Sequence, residues 1–445
     1  MLRAMDARLL HRGTRSIQRE YFDGQVRVGF RRLPIQGLSE DLDPPASTNR
    51  WDAYLVGEVL NFRKLRPLAE TDLLVVLEEW DQKPGPRHFQ RYDGFWAMVF
   101  IDKFNMTVQI VTDPLAKKPL YMRRTPFVAI SSEIDPLLEL GPFQSTFDAA
   151  YLGGVMKWGY CHDGSTPYRE IRAIPPGTIM MLDSSDGEII RQTFYGGYID
   201  RPPSGRSLAM LMHAAVQNRL VSDVPVSLLL SGGLDSTIVF ELTKCYTTDF
   251  TVFHVDNDEE EYLNYLKFPS GVKLVRVKLE EVDLSSAVNA NQTPVDLGSV
   301  VPQYAIGKMV RRAGFDVAIS GDGADELFGG YRRAAEFDSQ RSDVYHELVH
   351  YHLPRLDRLM MASTVELRCP FLSWDVIRFA WTIPWVQRRS KEYLKEQFAG
   401  IVPAKILNRA KVPLKVPGIR GDKKIEWRRK MLDEFLKLRT KEAWR

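Results

Sequence analysis

A chain of 445 residues is long enough for two or three domains. Its composition, 44% apolar and 26% charged, is that of a folded globular protein, and a formal charge of +3 is too small to suggest nucleic acid or an anionic membrane as a partner. No apolar run approaches the roughly 18 residues a membrane helix needs, and the N-terminus lacks a signal-peptide core. Cys161, Cys245 and Cys369 are odd in number, far apart and in no metal spacing, which suggests a reducing cytoplasm. His346, His350 and His352 cluster without a completing carboxylate or cysteine, so packing or surface roles are expected for them.

Residues 21–145 read mostly as strands. Short apolar runs (Val26–Phe30, Ala53–Val56, Phe95–Ile101, Val108–Val111, Leu120–Met122, Val128–Ile130) are separated by Gly, Pro, Asp and Asn. One amphipathic helix fits Ala69–Trp80. Gly177–Asp183 is a strand before a turn, and Arg201-Pro-Pro-Ser-Gly-Arg206 is the best linker. Beyond it the pattern changes. Leu208–Leu220 is helical, Val224–Leu230 a buried strand, Thr237–Cys245 a helix, Thr251–Val255 a strand, Tyr304–Arg312 a helix and Val317–Ile319 a strand. Such alternation predicts a parallel sheet covered on both faces. Residues 340–410 read as mainly helical. The basic C-terminus, from Lys423 to Lys430, has acids interleaved and reads as a solvated helix face.

Two stretches carry chemistry. Val224–Leu230 runs into Ser231-Gly-Gly-Leu-Asp-Ser236 and then a helix. Glycines let backbone N–H groups converge on phosphates, and a helix N-terminus adds its dipole. Ser231 and Ser236 can donate to phosphate oxygens. Asp235 makes sense there as a ligand of Mg2+, which prefers hard oxygen donors. The loop is neither a Walker A sequence nor a dinucleotide fingerprint. Ile319-Ser-Gly-Asp-Gly-Ala-Asp-Glu-Leu-Phe-Gly-Gly-Tyr331 follows a second short strand and brings Asp322, Asp325 and Glu326 to the sheet's C-terminal edge. Two such loops can share one Mg-ATP. Further on, Asp357, Arg358, Glu366 and Arg368 lie in an apolar, helical run, which predicts a buried ion-pair frame.

Taken together these stretches resemble the asparagine synthetase family. Residues 222–245, 319–332 and 356–372, with Lys391-Glu-Tyr-Leu-Lys395, are similar to its motifs in order and spacing. The resemblance implies an α/β architecture in two parts. An N-terminal, β-rich domain of the N-terminal-nucleophile, class II glutamine amidotransferase type is expected over 1–195, and a linker over 196–206. An N-type ATP pyrophosphatase (PP-loop) domain with a helical end is expected over 207–420, and a basic helical tail over 421–445. It implies that a carboxylate, by default L-aspartate, attacks the α-phosphate of ATP, and that ammonia or an amine then displaces AMP. By this resemblance Leu230, Ser231, Gly232, Gly233, Leu234, Asp235 and Ser236 hold the pyrophosphate, and Val255 and Gly321 contact the nucleotide. Asp235 and Asp325 bind Mg2+, Lys391 steadies the departing pyrophosphate, and Asp322 lies near the reacting carboxylate.

The N-terminal half resembles the family's glutaminase domain at His11-Arg-Gly13, Arg32-Leu-Pro-Ile35, Tyr92-Asp-Gly-Phe95 and Asp113…Lys118-Pro-Leu-Tyr121. Arg32, Glu58 and Asp93 match its glutamine-binding positions, which predicts a remnant pocket. Such a domain uses an N-terminal cysteine; here no cysteine precedes Cys161, and the strand that should carry it is expected to be absent. The oxyanion segment reads Val56-Gly-Glu-Val-Leu-Asn61, and Val56 has no side-chain donor. Losing one such donor costs on the order of 100–1000-fold in rate. The expectation is an ATP-dependent amide-forming ligase without glutaminase activity. A ring-closing relative of β-lactam synthetases or lasso-peptide cyclases, and a silent nucleotide-binding scaffold, stay open as alternatives. So does a homodimer.

Overall fold

The computed structural model describes residues 1–141, 143–161, 163–196, 205–255, 260–278, 282–331, 346–409 and 424–442. Most of the expected linker, 197–204, lies outside these.

The N-terminal half contains β1 (Arg15–Tyr21), β2 (Val26–Arg32), β3 (Ala46–Ser47), β4 (Trp51–Val59), β5 (Gly94–Asp102), β6 (Thr107–Thr112), β7 (Tyr121–Arg124), β8 (Val128–Ser131), β9 (Ile171–Ala173), β10 (Thr178–Asp183) and β11 (Ile189–Phe194). The large antiparallel sheet has the order β11-β10-β6-β5-β4-β3; smaller sheets β1-β2 and β8-β7-β9 lie apart from it. Period-2 alternation explains the layering. Along β5, Trp96, Met98 and Phe100 enter the core under helix Asp72–Gln82, whereas Ala97 and Ile101 enter the core shared with β2 and β8. Trp80 of the helix stacks on Phe100 at 4.2 Å.

The C-terminal half holds five parallel strands: β12 (Val226–Leu229), β13 (Thr251–Val255), β14 (Lys273–Val277), β15 (Val317–Ile319) and β16 (Glu366–Arg368), in the order β14-β13-β12-β15-β16. The chain leaves β12 towards β13 and later returns on its other side as β15. The loops after β12 and β15 therefore part at a topological switch point, where open α/β sheets bind ligands.

Several boundaries differ from the sequence reading. The helix expected over Ala69–Trp80 spans Asp72–Gln82, because the Thr71 hydroxyl caps it by accepting from Leu74 N. Helix Leu234–Thr243 starts three residues early, inside the glycine motif, so the loop is shorter than expected. Tyr304–Arg312 is the end of a longer helix, Val300–Arg312. The run Leu353–Leu372 is not one helix. It ends at Met361, turns through Thr364 at φ 58°, and continues as β16, buried beside β15. The basic C-terminal helix, Lys424–Glu442, keeps the expected solvated face, with Lys424, Arg429 and Lys430 exposed, and buries a second face through Trp427, Met431 and Phe435, spaced at i, i+4 and i+8. Its Arg428 pairs with Asp296, and its Arg439 with Asp135. Among the described residues no helix is long and apolar enough to cross a membrane.

Candidate active site

β12 delivers Leu230 and then the glycine motif at the sheet's C-terminal edge. Gly232 has φ 72°, a left-handed conformation that favours glycine. Gly233 is the N-cap of helix Leu234–Thr243. The loop closes on its own hydroxyls: Ser231 N donates to Ser236 Oγ at 3.2 Å, Gly233 N donates to Ser231 Oγ at 3.3 Å, and Ser236 Oγ donates to Gly233 O at 3.2 Å. Arg409 donates to Gly232 O at 2.8 Å and lies over the Tyr262 ring at 4.1 Å. Val255, at the end of β13, turns its side chain into the apolar core, so that side chain is not free to contact a nucleotide.

The loop after β15 touches this one directly. A Cβ on Gly321 would stand 2.8 Å from Asp235 C and Ser236 N, so only glycine allows the approach. Across the junction Lys391 Nζ donates to Asp235 Oδ2 at 2.5 Å and pairs with Asp325. Lys391 and Ser390 both have φ 60°, and Ser390 N donates to Gly329 O at 2.9 Å, which aims the lysine back at the loop. Burial works against the ammonium, but Asp235 and Asp325 more than reverse this and hold its pKa well above the ordinary lysine range. Three predicted residues from distant segments thus meet at one point. A pair of carboxylates gathered around a single positive charge is also a fitting donor set for a hard divalent cation.

Asp322 faces another way. Its carboxylate accepts from Ser320 Oγ at 2.7 Å. Burial raises its pKa, and Arg355 and the Ser320 hydrogen bond pull it down while Glu326 adds to the rise. Behind it lies a cluster that the sequence reading had not assembled. Tyr331 donates to Glu326 at 2.5 Å, its ring stacks on His352 at 5.9 Å, and His352 Nε2 is 3.5 Å from Glu326. No spacing rule could have joined Glu326 to His352; the only hint was charge inside an apolar run.

The expected remnant pocket is only partly assembled. Arg32, Val56 and Glu58 line a cavity of about 140 Å3 with Asp72, Lys118 and Glu366. Inside it the charges are already engaged. Arg32 pairs with Asp43 and donates to the carbonyls of Gln36 (2.8 Å) and Gly37 (2.7 Å), and Gln36 donates to Glu58. Burial, with Asp72 and Glu366 close by, raises the Glu58 pKa well above the carboxylate range. Asp93 is not among the lining residues. It meets Arg219, accepts from Asn218 at 2.8 Å and from Ser373 at 3.1 Å, and has its pKa held at about 2, because Arg219 outweighs the burial penalty.

A buried ionic frame joins the two halves. Asp357 accepts from Arg12 at 2.8 Å and Lys118 at 2.9 Å, and Arg12 also reaches Glu133 at 3.1 Å. Arg368 binds Glu366 at 2.9 Å and the carbonyl of Arg219 at 2.9 Å. Glu366 begins β16, so a wall of the N-terminal cavity is the strand next to β15, whose following loop carries Asp322 and Asp325.

A two-loop nucleotide site at the switch point of a parallel sheet, behind an antiparallel β-layered half, defines an ATP-dependent carbon–nitrogen ligase joined to an amidotransferase-type domain. The asparagine synthase family model matches residues 207–345 and 338–442, and the glutamine amidotransferase domain model matches 1–195. The chain belongs to the asparagine synthase family. It is 24% identical over 449 residues to asparagine synthetase B (glutamine-hydrolyzing) of Escherichia coli, covering 88% of this chain and 74% of that one. It is 24% identical over 482 residues to the human asparagine synthetase (glutamine-hydrolyzing), covering 91% and 79%.

Proposed function

We propose that this ligase adenylates a carboxylate with Mg-ATP, passes the acyl group to ammonia or an amine, and hydrolyses no glutamine. The observation that carries the reading is the convergence of Asp235 and Asp325 on Lys391 Nζ beside the hydroxyl-lined glycine loop. The loop's backbone N–H groups and Ser231 and Ser236 would orient the β- and γ-phosphates, leaving the α-phosphorus open to an incoming carboxylate oxygen. Asp235 and Asp325 would hold Mg2+, which when bound neutralises phosphate charge. Lys391, kept protonated by its surroundings, is suited to meet the negative charge that grows on the leaving pyrophosphate. Asp322, on the loop that carries Asp325, would lie near the reacting carboxylate and could exchange a proton with the attacking nitrogen. L-Aspartate is the default acceptor. Val56 in the N-terminal cavity, and the engagement of Arg32 by Asp43 and of Glu58 by Gln36, support the absence of glutamine cleavage.

The test is pyrophosphate exchange into ATP with a set of carboxylates including L-aspartate, followed by product analysis with ammonium, amines or glutamine. AMP and an amide are expected with ammonium or an amine. Formation of ADP instead of AMP, or no exchange with any acid, would overturn the adenylation reading. Glutamate release above a heat-denatured control would overturn the remainder.

A further inference from the structure

β13 is an inner strand of the parallel sheet, between β14 and β12, and every one of its residues is buried. Alternation puts Phe253 and Val255 in one apolar core and Val252 in another, which also holds Leu230, Leu234 and Ile238. His254 lies on the side of Val252 and is 1% exposed. An apolar side chain would pack there without penalty, whereas an imidazole buries two ring nitrogens. Only one of them is satisfied. Nδ1 donates to the carbonyl oxygen of Leu230 at 2.7 Å, and since a carbonyl only accepts, the proton sits on that nitrogen. Nε2 is buried and has no hydrogen-bond partner among the described residues. A polar ring kept half-satisfied in an apolar layer calls for a reason other than packing.

The group that the imidazole displaces supplies that reason. In a parallel ladder, alternate residues of a strand turn their backbone groups to the same neighbour. Phe253 turns to β12, and its carbonyl accepts from Leu230 N at 2.9 Å. Val255, two residues on, turns to β12 as well, and a continued ladder would bring its N–H to the carbonyl of Leu230. The imidazole holds that carbonyl instead, and among the described residues no bond runs to it from Val255 N–H. β12 accordingly ends at Leu229, while β13 runs on to Val255. The ring thus closes the ladder one bond early. It leaves a backbone donor at the C-terminal edge of the sheet, beside the residue that precedes Ser231 and the glycine motif.

We propose that His254 is a positioning residue for the nucleotide base: by holding the Leu230 carbonyl it keeps Val255 N–H available to donate to an unprotonated ring nitrogen of adenine. His254 itself does not touch the nucleotide. The amide of its neighbour does, and the imidazole keeps that amide from falling back into the ladder. The inference rests on the ligase reading, which supplies ATP as the ligand and the glycine loop as the seat of its phosphates. Base recognition then belongs to β13 and phosphate recognition to the loop, so the two can be measured apart.

The test uses the full chain as wild type, His254→Ala and His254→Asn. Asparagine places an amide nitrogen where histidine has Nδ1, so it can keep the bond to Leu230. Binding of Mg-ATP, of pyrophosphate, and of the 1-deaza, 3-deaza and 7-deaza analogues of ATP is read by titration calorimetry. Hydrogen exchange at the Val255 amide is followed alongside. His254→Ala should weaken ATP at least tenfold and pyrophosphate, which has no base, less than twofold. His254→Asn should bring ATP binding back to within threefold of the wild type. One deaza analogue should bind the wild type at least tenfold more weakly than ATP does, and His254→Ala should no longer tell the two apart. Exchange at Val255 should slow at least tenfold in His254→Ala, where the amide rejoins the ladder, and in the wild type when ATP is added. Equal losses of ATP and pyrophosphate binding in His254→Ala would reduce the histidine to a support of the fold and overturn the proposal. So would unchanged ATP affinity in that variant, three deaza analogues that all bind like ATP, or unchanged exchange at Val255. A wild type that binds neither ATP nor pyrophosphate would overturn the ligase reading and this inference with it. One that binds both, while His254→Ala alters neither, would overturn this inference alone.

Discussion

Replacing Asp357 with Asn keeps the shape of the ionic frame between the halves and removes its central charge. In the native chain Asp357 is buried and accepts from Arg12 and Lys118. Burial alone would raise its pKa; Arg12 and Lys118 outweigh it and hold the carboxyl at about 2, against 3.8 for an ordinary aspartate. At about 1.4 kcal/mol per unit this is roughly 2.5 kcal/mol favouring the ionised form. Leaving Arg12 and Lys118 undercompensated adds to the loss, so Asp357→Asn should cost about 3 kcal/mol at neutral pH. For units of this size that is a fall of roughly 6–12 °C in melting temperature. A depressed carboxylate pKa gives stability that is present above the unfolded value and lost as pH falls towards the folded one. The wild type should therefore lose about 1 kcal/mol of this contribution by pH 3, and the variant should not. Thermal melts of both proteins at pH 7, 4 and 3 check this. An unchanged melting temperature at pH 7, or a gap between the two that stays constant down to pH 3, would refute the reasoning.

Lys391→Met should lower pyrophosphate exchange at least 100-fold, measured at saturating Mg-ATP, by removing the positive charge proposed to meet the leaving pyrophosphate. Gly321→Ala should reduce exchange to a similar degree by forcing apart the loops after β12 and β15, while the circular dichroism spectrum stays native. Lys117 is buried, and burial, with Arg219 nearby, lowers its pKa to about 8. Because the unfolded chain keeps that proton to higher pH, this group should make stability rise as pH climbs from about 8 to about 10. Denaturation curves over that range should show the rise in the wild type and not in Lys117→Met.

The local rules were enough for much of the molecule. Strands β12 and β15 follow from short apolar runs ending in glycine-rich turns, and Ser231–Ser236 announces its own backbone geometry. What sequence could not supply was anything set by long-range packing. β16 hides inside a run read as helix, because its strand character comes from lying beside β15 and not from propensity. The C-terminal helix carries the stripe of Trp427, Met431 and Phe435 in its own sequence, but the surface that stripe covers is set only by the fold. Asp93 was grouped with Arg32 and Glu58 by motif, yet the docking of the two halves turns it to Arg219. By itself the sequence determined the two glycine-rich loops after β12 and β15, since strand-to-helix turns are built from neighbouring residues. Only the tertiary structure decided that Lys391 stands between Asp235 and Asp325, since that depends on segments distant in the chain meeting in space.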